Sequence, residues 1–517
     1  MKPEPLDFDA IEVPTLHETV SRHARAQPDR PAVRFRDRVL TYAELDALAD
    51  KVGAALRRDG LTAGDRIVFV GRNSDAVPVL ALGANKAGIV PVPLNWRLAP
   101  AEIDTLIRNS GARLVFVEPE FEPAVRSLRN AAAATFEIVD ARGLMVQDNW
   151  LAEGPLAKPA ADARATAVQI YTSGTTGLPK GVMLSHRNLL GINQLCSQVL
   201  WDSWCADDVT LVSAPLGHIG AYGMLARSLF FGGEAIIHEA FDASDMLDAI
   251  ARFGVSKLAL VPTAIKMLLD HPRANEVDYS RIKTVIYGAS PITLELLQRA
   301  ITVFDCQFAQ SYGMSETSGP VVALAPEDHA VGGTPKMASA GRPLPATEVK
   351  IVDPDGNALP PGENGEICIR SIANMTGYWN RPEDTAAVLS PDGWLRTGDA
   401  GCLGDDGYVY VRTRIKEMII SGAENIYPAE VENAIAGHPD VGEVAVIGVP
   451  DAHWGEAVKA IVVAKPDHSI DPISILAWAR EKIAGYKVPK SIEVVSELPT
   501  NATGKIDKHR LKKQYIG

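Results

Sequence analysis

The stretch Ile170–Leu184, IYTSGTTGLPKGVML, packs three glycines, four Ser/Thr hydroxyls and one lysine behind a β-like run. A glycine-rich loop lets backbone N–H groups approach phosphate oxygens, while hydroxyls and an ammonium add donors. The ordinary P-loop, G-x-x-x-x-G-K-[ST], sets its lysine directly after a glycine and a hydroxyl directly after the lysine. Here Lys180 follows Pro179 and precedes Gly181. The hydroxyls of Thr172, Ser173, Thr175 and Thr176 stand before or between Gly174 and Gly177. The chemistry on offer is a phosphate cradle of another design.

The elements that must hold such a loop are legible in the periodicity. Thr41-Tyr-Ala-Glu44 fits a capping box, with Leu45, Leu48, Val52 and Leu56 at helical spacing behind it and Gly60 as a stop. Strand-like runs at Arg66–Val70 and Arg113–Val117, then VTLVSAP, EAIIH, KLALVP and KTVIYG, alternate with helix-like spans such as Asp245–Arg252 and Leu294–Val303. This alternation predicts an α/β fold with largely parallel sheets. After about Ala340, two short strands flank the turn Asp353–Gly356, which predicts an antiparallel or barrel-like subdomain. From Glu417 the pattern restarts with a helix over Ala429–Gly437, strands EVAVIGV and KAIVVAK, a helix over Pro472–Ala484 and a strand SIEVVS. This is a second unit of about 100 residues, with the boundary expected at Val411–Ile419.

A chain of 517 residues exceeds what one hydrophobic core serves, so two or more domains are expected. The formal net charge of -13 argues against nucleic acid, whose phosphates are held by basic surfaces. A small anion is compatible with it, because a local pocket can be positive on an acidic protein. The five cysteines, Cys196, Cys205, Cys306, Cys368 and Cys402, show no ligand or disulfide spacing and read as small buried residues in a reducing compartment. The acidic, Pro-rich start is unlike a signal peptide, no apolar run has membrane-spanning length, and the final QYIG is no targeting address. A cytoplasmic location is expected.

The wording YTSGTTGLPKG resembles the phosphate loop of the adenylate-forming superfamily, which comprises acyl-CoA synthetases, adenylation domains of non-ribosomal peptide synthetases and firefly luciferase. The resemblance continues in order along nearly the whole chain. LTYAEL (Leu40–Leu45), QSYGMSE (Gln310–Glu316), GWLRTGD (Gly393–Asp399), RIKEMIISGAENIYPAEVE (Arg414–Glu432) and PTNATGKI (Pro499–Ile506) are all similar to family core motifs. One match is weak, whereas this many in the right order is specific. The resemblance implies a large N-terminal domain over 1–413, made of two α/β sheet subdomains and a small β-barrel-like one. A hinge over 414–418 and a small mobile α+β domain over 419–517 follow.

The family reaction has two halves. A carboxylate attacks the α-phosphate of ATP, giving an acyl-adenylate and pyrophosphate, and a thiol, usually that of coenzyme A, then displaces AMP. Bringing two anions to about 4 Å costs roughly 4 kcal/mol at an effective dielectric near 20, so fixed positive charge and positioning are needed. By resemblance Lys505 supplies that charge, and Glu316 holds Mg²⁺, a hard cation suited to carboxylate and phosphate oxygen, with Thr172 lending its hydroxyl. Ser173, Gly174, Thr175, Thr176, Gly177 and Lys180 cradle phosphates. Tyr312 offers a face to adenine, with Gly288, Ala289 and Ser290 of YGASP as the opposite wall and Gln310, Ser311, Gly313, Met314 and Ser315 beside it. Ser315 departs from the family's more frequent Thr but keeps the hydroxyl. Asp399 takes the ribose hydroxyls, and Arg414 donates to ribose and phosphate.

Lys416 marks the hinge about which the small domain rotates after adenylation, withdrawing Lys505. Gly422, Ala423 and Glu424 line the thiol tunnel by the same resemblance, with Trp454 and Lys487 as coenzyme A contacts. Ala423 stands where relatives mostly carry a second glycine. In APLGHIGAYG (Ala214–Gly223), His218 is the candidate for contacting the carboxylate or gating the acyl site. Gly217, Gly220 and Ala221 suggest room, and Ile219, Tyr222, Val261, Pro262 and Met314 an apolar lining. A fatty, alicyclic or aromatic acid is expected, since no acidic residue is evident to capture an α-ammonium.

The leading expectation is an ATP-dependent acyl-CoA ligase using ATP, Mg²⁺ and coenzyme A on a small carboxylic acid, as a monomer or homodimer. A rival enzyme would load a carrier protein's phosphopantetheine arm, although the chain ends at Gly517 with no room for a fused carrier. A catalytically inactive nucleotide- or acyl-binding regulator would be expected to have lost Lys505, Glu316 or Asp399, and all three are present.

Overall fold

The computed structural model describes residues 8–131, 137–140, 150–151, 156, 161–172, 179–197, 200–290, 292–421, 424–451, 453–500 and 506–516. The fold is the expected mixed α/β, with a large N-terminal domain and a small C-terminal one. Helix Tyr42–Arg58 starts at the capping box: Glu44 N–H donates to Thr41 Oγ1, and Thr41 N–H donates to the Glu44 carboxylate at 2.8 Å. Its buried face, with Leu45, Val52 and Leu56, packs on helix Ala76–Lys86. A Cβ on Gly83 would come within 2.5 Å of Val52, so only glycine lets these two helices touch.

The largest sheet has a parallel core in the order Pro31–Phe35, Glu234–Ile237, Val209–Val212, Lys257–Leu260, Thr284–Gly288, Gln307–Met314. Antiparallel strands Arg38–Thr41 at one edge and Gly319–Leu324 with Arg342–Pro343 at the other complete it. A second, parallel sheet runs Val90–Asn95, Arg66–Gly71, Leu114–Val117, Glu137–Asp140. The first three of these strands are buried throughout, which is why they read as continuous apolar runs rather than alternating ones. Parallel strands joined by helices leave their carboxyl ends open along one side of the sheet, where α/β proteins form their crevices.

The segment after Ala340 makes an antiparallel meander of Thr347–Val352, Gly365–Ser371, Leu395–Leu403 and Val409–Arg414. Its first turn closes with Gly356 N–H on Asp353 O at 3.0 Å. A three-stranded sheet of Thr166–Thr172, Lys180–Ser185 and Gly377–Tyr378 lies in the same domain. The C-terminal unit pairs Val441–Asp451 with Gly455–Ala464 and adds helices Pro428–Ala436 and Pro472–Lys482. It has its own core, with Ile419, Val431, Ile435, Val458 and Ile475. Lys465 approaches Glu295 of the large domain at 3.8 Å. Lys508 pairs with Glu432 at 2.7 Å and reaches Glu417 at 3.8 Å.

Among the described residues no helix is long and apolar enough to cross a membrane. Cys196, Cys368 and Cys402 are buried as expected, and Cys306 is half-buried. Cys205 departs from that expectation. It is exposed in a turn whose backbone is held by Asp208 Oδ2, 3.0 Å from Cys205 N.

Candidate active site

Of the phosphate-loop candidates, Thr172 and Lys180 lie on paired antiparallel strands. Thr172 ends one strand, Lys180 begins the next, and the two face each other in the antiparallel ladder. The residues between, including Ser173, Gly174, Thr175, Thr176 and Gly177, lie outside the described residues. Strand Gly377–Tyr378 adds to the far side of the Lys180 strand, with Tyr378 opposite Val182. The Lys180 ammonium stands 5.0 Å from the centre of the Tyr378 ring and 2.6 Å from Asp384 Oδ1.

The adenine-wall candidates come from the carboxyl ends of adjacent parallel strands. Gly288 closes one strand opposite Ser311 of the next. A Cβ there would stand 2.3 Å from Ser311 O, so glycine is required for the approach. Ala289 follows with φ +67 and Ser290 is half-buried. Gln310, Ser311, Tyr312, Gly313 and Met314 run to the end of strand Gln307–Met314. Gly313 is more constrained still, since a Cβ would fall 1.9 Å from Gly319 O.

Ser315–Thr317 is one tight turn, fixed by Met314 N–H donating to Thr317 Oγ1 at 2.9 Å. That turn buries Glu316, which is 7% exposed. Tyr378 Oη donates to Glu316 Oε1 at 2.8 Å. No described protein group donates to the other oxygen, Oε2. A carboxylate fixed at one oxygen and open at the other suits a hard divalent cation, and Mg²⁺ needs only one or two protein oxygens beside water and phosphate. Glu316 therefore fits Mg²⁺, and the ion would neutralise phosphate charge there; Thr172 lies opposite Lys180, at the end of its strand. The described residues contain no group of three or more His, Cys, Asp or Glu able to hold a metal.

Asp399 and Arg414 face each other across the meander. Asp399 Oδ1 stands 2.8 Å from Arg414 Nε and Oδ2 accepts from Tyr312 Oη at 2.6 Å. Arg414 also donates to Thr397 O at 3.3 Å. Burial of the phenol, and the negative charge of Asp399 beside it, hold Tyr312 well above the ordinary tyrosine range, so it remains a donor. Tyr312 thus joins the parallel sheet to the meander at the level of the adenine wall.

The acyl candidates divide. His218 occupies the residue before helix Ile219–Phe231 without capping it through its side chain, and its Nε2 lies 3.1 Å from Asn95 Nδ2. Gly217 is required, because a Cβ would stand 2.7 Å from Asn95 N. Val261 precedes Pro262 directly after strand Lys257–Leu260, at the same carboxyl-end edge of the sheet as Met314 at the end of its own strand. Ile219 is buried at the helix start. Tyr222, one turn further in, lines a void of about 10 Å³ with Phe69, Leu80 and Pro93, too small for an acyl group.

The remaining candidates belong to the expected hinge and the C-terminal domain. Lys416 is exposed in the turn Ile415–Glu417, directly after Arg414. Trp454 is exposed with its ring edge-on to His453, and Lys487 pairs with Glu430 at 2.6 Å. Glu424 starts strand Glu424–Ile426. Gly422, Ala423 and Lys505 lie outside the described residues, although Thr500 and Ile506, which flank the Lys505 segment, pair across an antiparallel bridge. Sequence reasoning missed Tyr378, Asp384 and Asn95. Tyr378 and Asp384 share the stretch GYWNRPEDT, whose Gly-Tyr before a Pro-started helix is their one local signal.

Comparison with known proteins agrees with this arrangement. Residues 20–379 match the family model described as AMP-binding enzyme, and residues 430–505 match that of its C-terminal domain. A feruloyl-CoA synthase of an Amycolatopsis species is 40% identical over 496 residues, covering 96% of this chain and 98% of that protein. A fatty acid–[acyl-carrier-protein] ligase, ScoC, of Streptomyces coeruleorubidus is 38% identical over 506 residues, covering 97% of both. Among solved structures, the ATP-bound MatB of Rhodopseudomonas palustris superposes with a TM-score of 0.87 at 31% identity, covering 96% of this chain and 99% of that one. A family model spanning more than half of the chain and relatives matched end to end make the chain a member of the AMP-binding enzyme family.

Proposed function

We infer that the chain is an AMP-forming acid–thiol ligase: it converts a hydrophobic carboxylic acid and ATP to acyl-adenylate and pyrophosphate, then transfers the acyl group to the thiol of coenzyme A with release of AMP. The observation that carries this reading is the Tyr312–Asp399–Arg414 cluster beside the buried Glu316. Asp399 accepts the ribose hydroxyls through its remaining lone pairs, and Arg414 holds it in place. The Gly288–Ser290 turn and Tyr312 enclose adenine. Glu316 and Thr172 hold Mg²⁺, and Lys180 steadies the outer phosphates. Lys505 approaches from the C-terminal domain to bridge the acid and the α-phosphate, and rotation about Lys416 withdraws it before the thiol enters past Gly422, Ala423 and Glu424. Met314, Val261 and His218 border the acid. The enzyme acts in the cytoplasm.

A panel of fatty, alicyclic and aromatic acids with ATP and coenzyme A, scored for AMP release and thioester mass, tests this reading. AMP release without any thioester would favour the second reading, loading of a carrier protein, which the 38% identity to a carrier-protein ligase supports. Release of neither product with any acid would refute both.

A further inference from the structure

The geometry points to Asp384 as a competing counter-ion that limits how tightly Lys180 holds pyrophosphate; the inference rests on reading the Thr172–Lys180 segment as the phosphate loop. Lys180 and Asp384 lie 204 residues apart in sequence yet pair at 2.6 Å, with side chains 14% and 30% exposed. The carboxylate is held in place rather than trailing in solvent. Thr385, next to it, accepts Tyr378 N–H at 2.9 Å and donates to Arg381 O at 2.8 Å, which locks the start of helix Pro382–Val388 against strand Gly377–Tyr378. Tyr378 places the ammonium over its ring, while its hydroxyl reaches Glu316. Lys180 and Glu316 therefore meet the same tyrosine, the ammonium over the face of its ring and the carboxylate at its hydroxyl, so one side chain links the lysine to the carboxylate proposed to hold the metal-bound phosphates.

An ammonium has one unit of charge and three donors. With Asp384 engaged, a polyphosphate exchanges one anionic partner for another instead of finding a free cation. The same carboxylate recaptures the ammonium as pyrophosphate departs. Asp384 thus weakens ground-state phosphate binding and favours release before the thiol step. Asp384 is a positioning residue acting through Lys180, and it touches neither acid nor adenine in this assignment.

The test is ATP–pyrophosphate exchange with a saturating acid in five proteins: wild type, Asp384→Asn, Asp384→Ala, Lys180→Gln and the double variant Asp384→Asn/Lys180→Gln. Both Asp384 variants are expected to lower the KM for pyrophosphate about three- to fivefold, the worth of a partly exposed ion pair. The shift is expected to vanish in the Lys180→Gln background, a readout that a merely structural role would not give, since damage to the fold does not tighten binding. An unchanged or higher KM in both Asp384 variants, or an equal shift without Lys180, would overturn the inference. A wild-type enzyme that exchanges no pyrophosphate into ATP would instead overturn the reading of the site itself.

Discussion

Arg414 and Asp399 stand opposite each other in an antiparallel ladder, with Arg414 Nε 2.8 Å from Asp399 Oδ1. Asp399 is shut in while Arg414 is 46% exposed, so the arginine covers the carboxylate from the solvent side. Removing it leaves a buried carboxylate with one donor fewer. Arg414→Ala is expected to raise the KM for ATP about tenfold or more, the worth of a charge-assisted contact of about 1.4 kcal/mol. Arg414→Lys should recover only part, because a single ammonium cannot span Asp399 and Thr397 O as the guanidinium fork does. Calorimetric titration with AMP checks this, and a lysine variant equal to wild type would contradict it.

Tyr312 serves Asp399 with its hydroxyl and leaves its ring for adenine. Tyr312→Phe keeps the ring and takes one donor away from Asp399 Oδ2. A hydrogen bond to a charged group contributes about 1.5–3 kcal/mol. The variant is expected to melt several degrees lower without ligand and to bind AMP at least fivefold more weakly, while Tyr312→Leu should lose more in binding than in stability. Paired thermal melts and titrations separate the two contributions.

Lys505→Ala is expected to abolish adenylate formation yet leave thioester formation from supplied acyl-adenylate largely intact. Lys416→Pro, which fixes φ at the proposed pivot, should slow passage between the half-reactions more than it weakens ATP binding. Rapid-quench measurement of each half-reaction decides: equal losses in both halves for Lys505→Ala, or normal turnover for Lys416→Pro, would remove the respective role.

His186 is buried, its Nδ1 accepts Leu16 N–H at 3.3 Å, and the His17 ring lies 5.5 Å away. Burial first, and His17 second, push it down from 6.5 to about 3. Between those values the unfolded chain binds a proton that the folded chain refuses, so stability is complete above pH 6.5 and falls as pH drops toward 3. The urea midpoint should therefore decline from neutral pH to about pH 5, and less steeply in His186→Asn, whose amide oxygen can still accept Leu16 N–H. Parallel slopes for the two proteins would discount His186.

The chain announces its nucleotide site in short motifs because each is a turn with strict local demands. Gly313 and Gly288 tolerate no Cβ, and Glu316 sits in the turn that follows the Gly313 strand. Helix Tyr42–Arg58 was legible for the same reason, its cap residing in four consecutive residues. Partners brought in by tertiary folding were not legible. Tyr378 meets Glu316 across 62 residues, and Asn95 meets His218 across 123. Tyr222 has the apolar character of a pocket residue, and its helical register alone sends it into the core beside Phe69 and Leu80. Nothing in Cys205 itself distinguishes it from its buried counterparts; its turn decides.

Lys508 and Glu432 belong to the same lobe, and Glu417 sits within the proposed pivot, so a swing of that lobe would carry all three as a unit. The Lys465–Glu295 contact does cross between lobes, and a swing would have to part it, but it is long and its glutamate is 83% exposed. Such surface pairs contribute about 0–1 kcal/mol. Among the described residues, ion pairing between the lobes therefore sets almost no preference between their poses, which leaves the occupants of the cleft to choose among them.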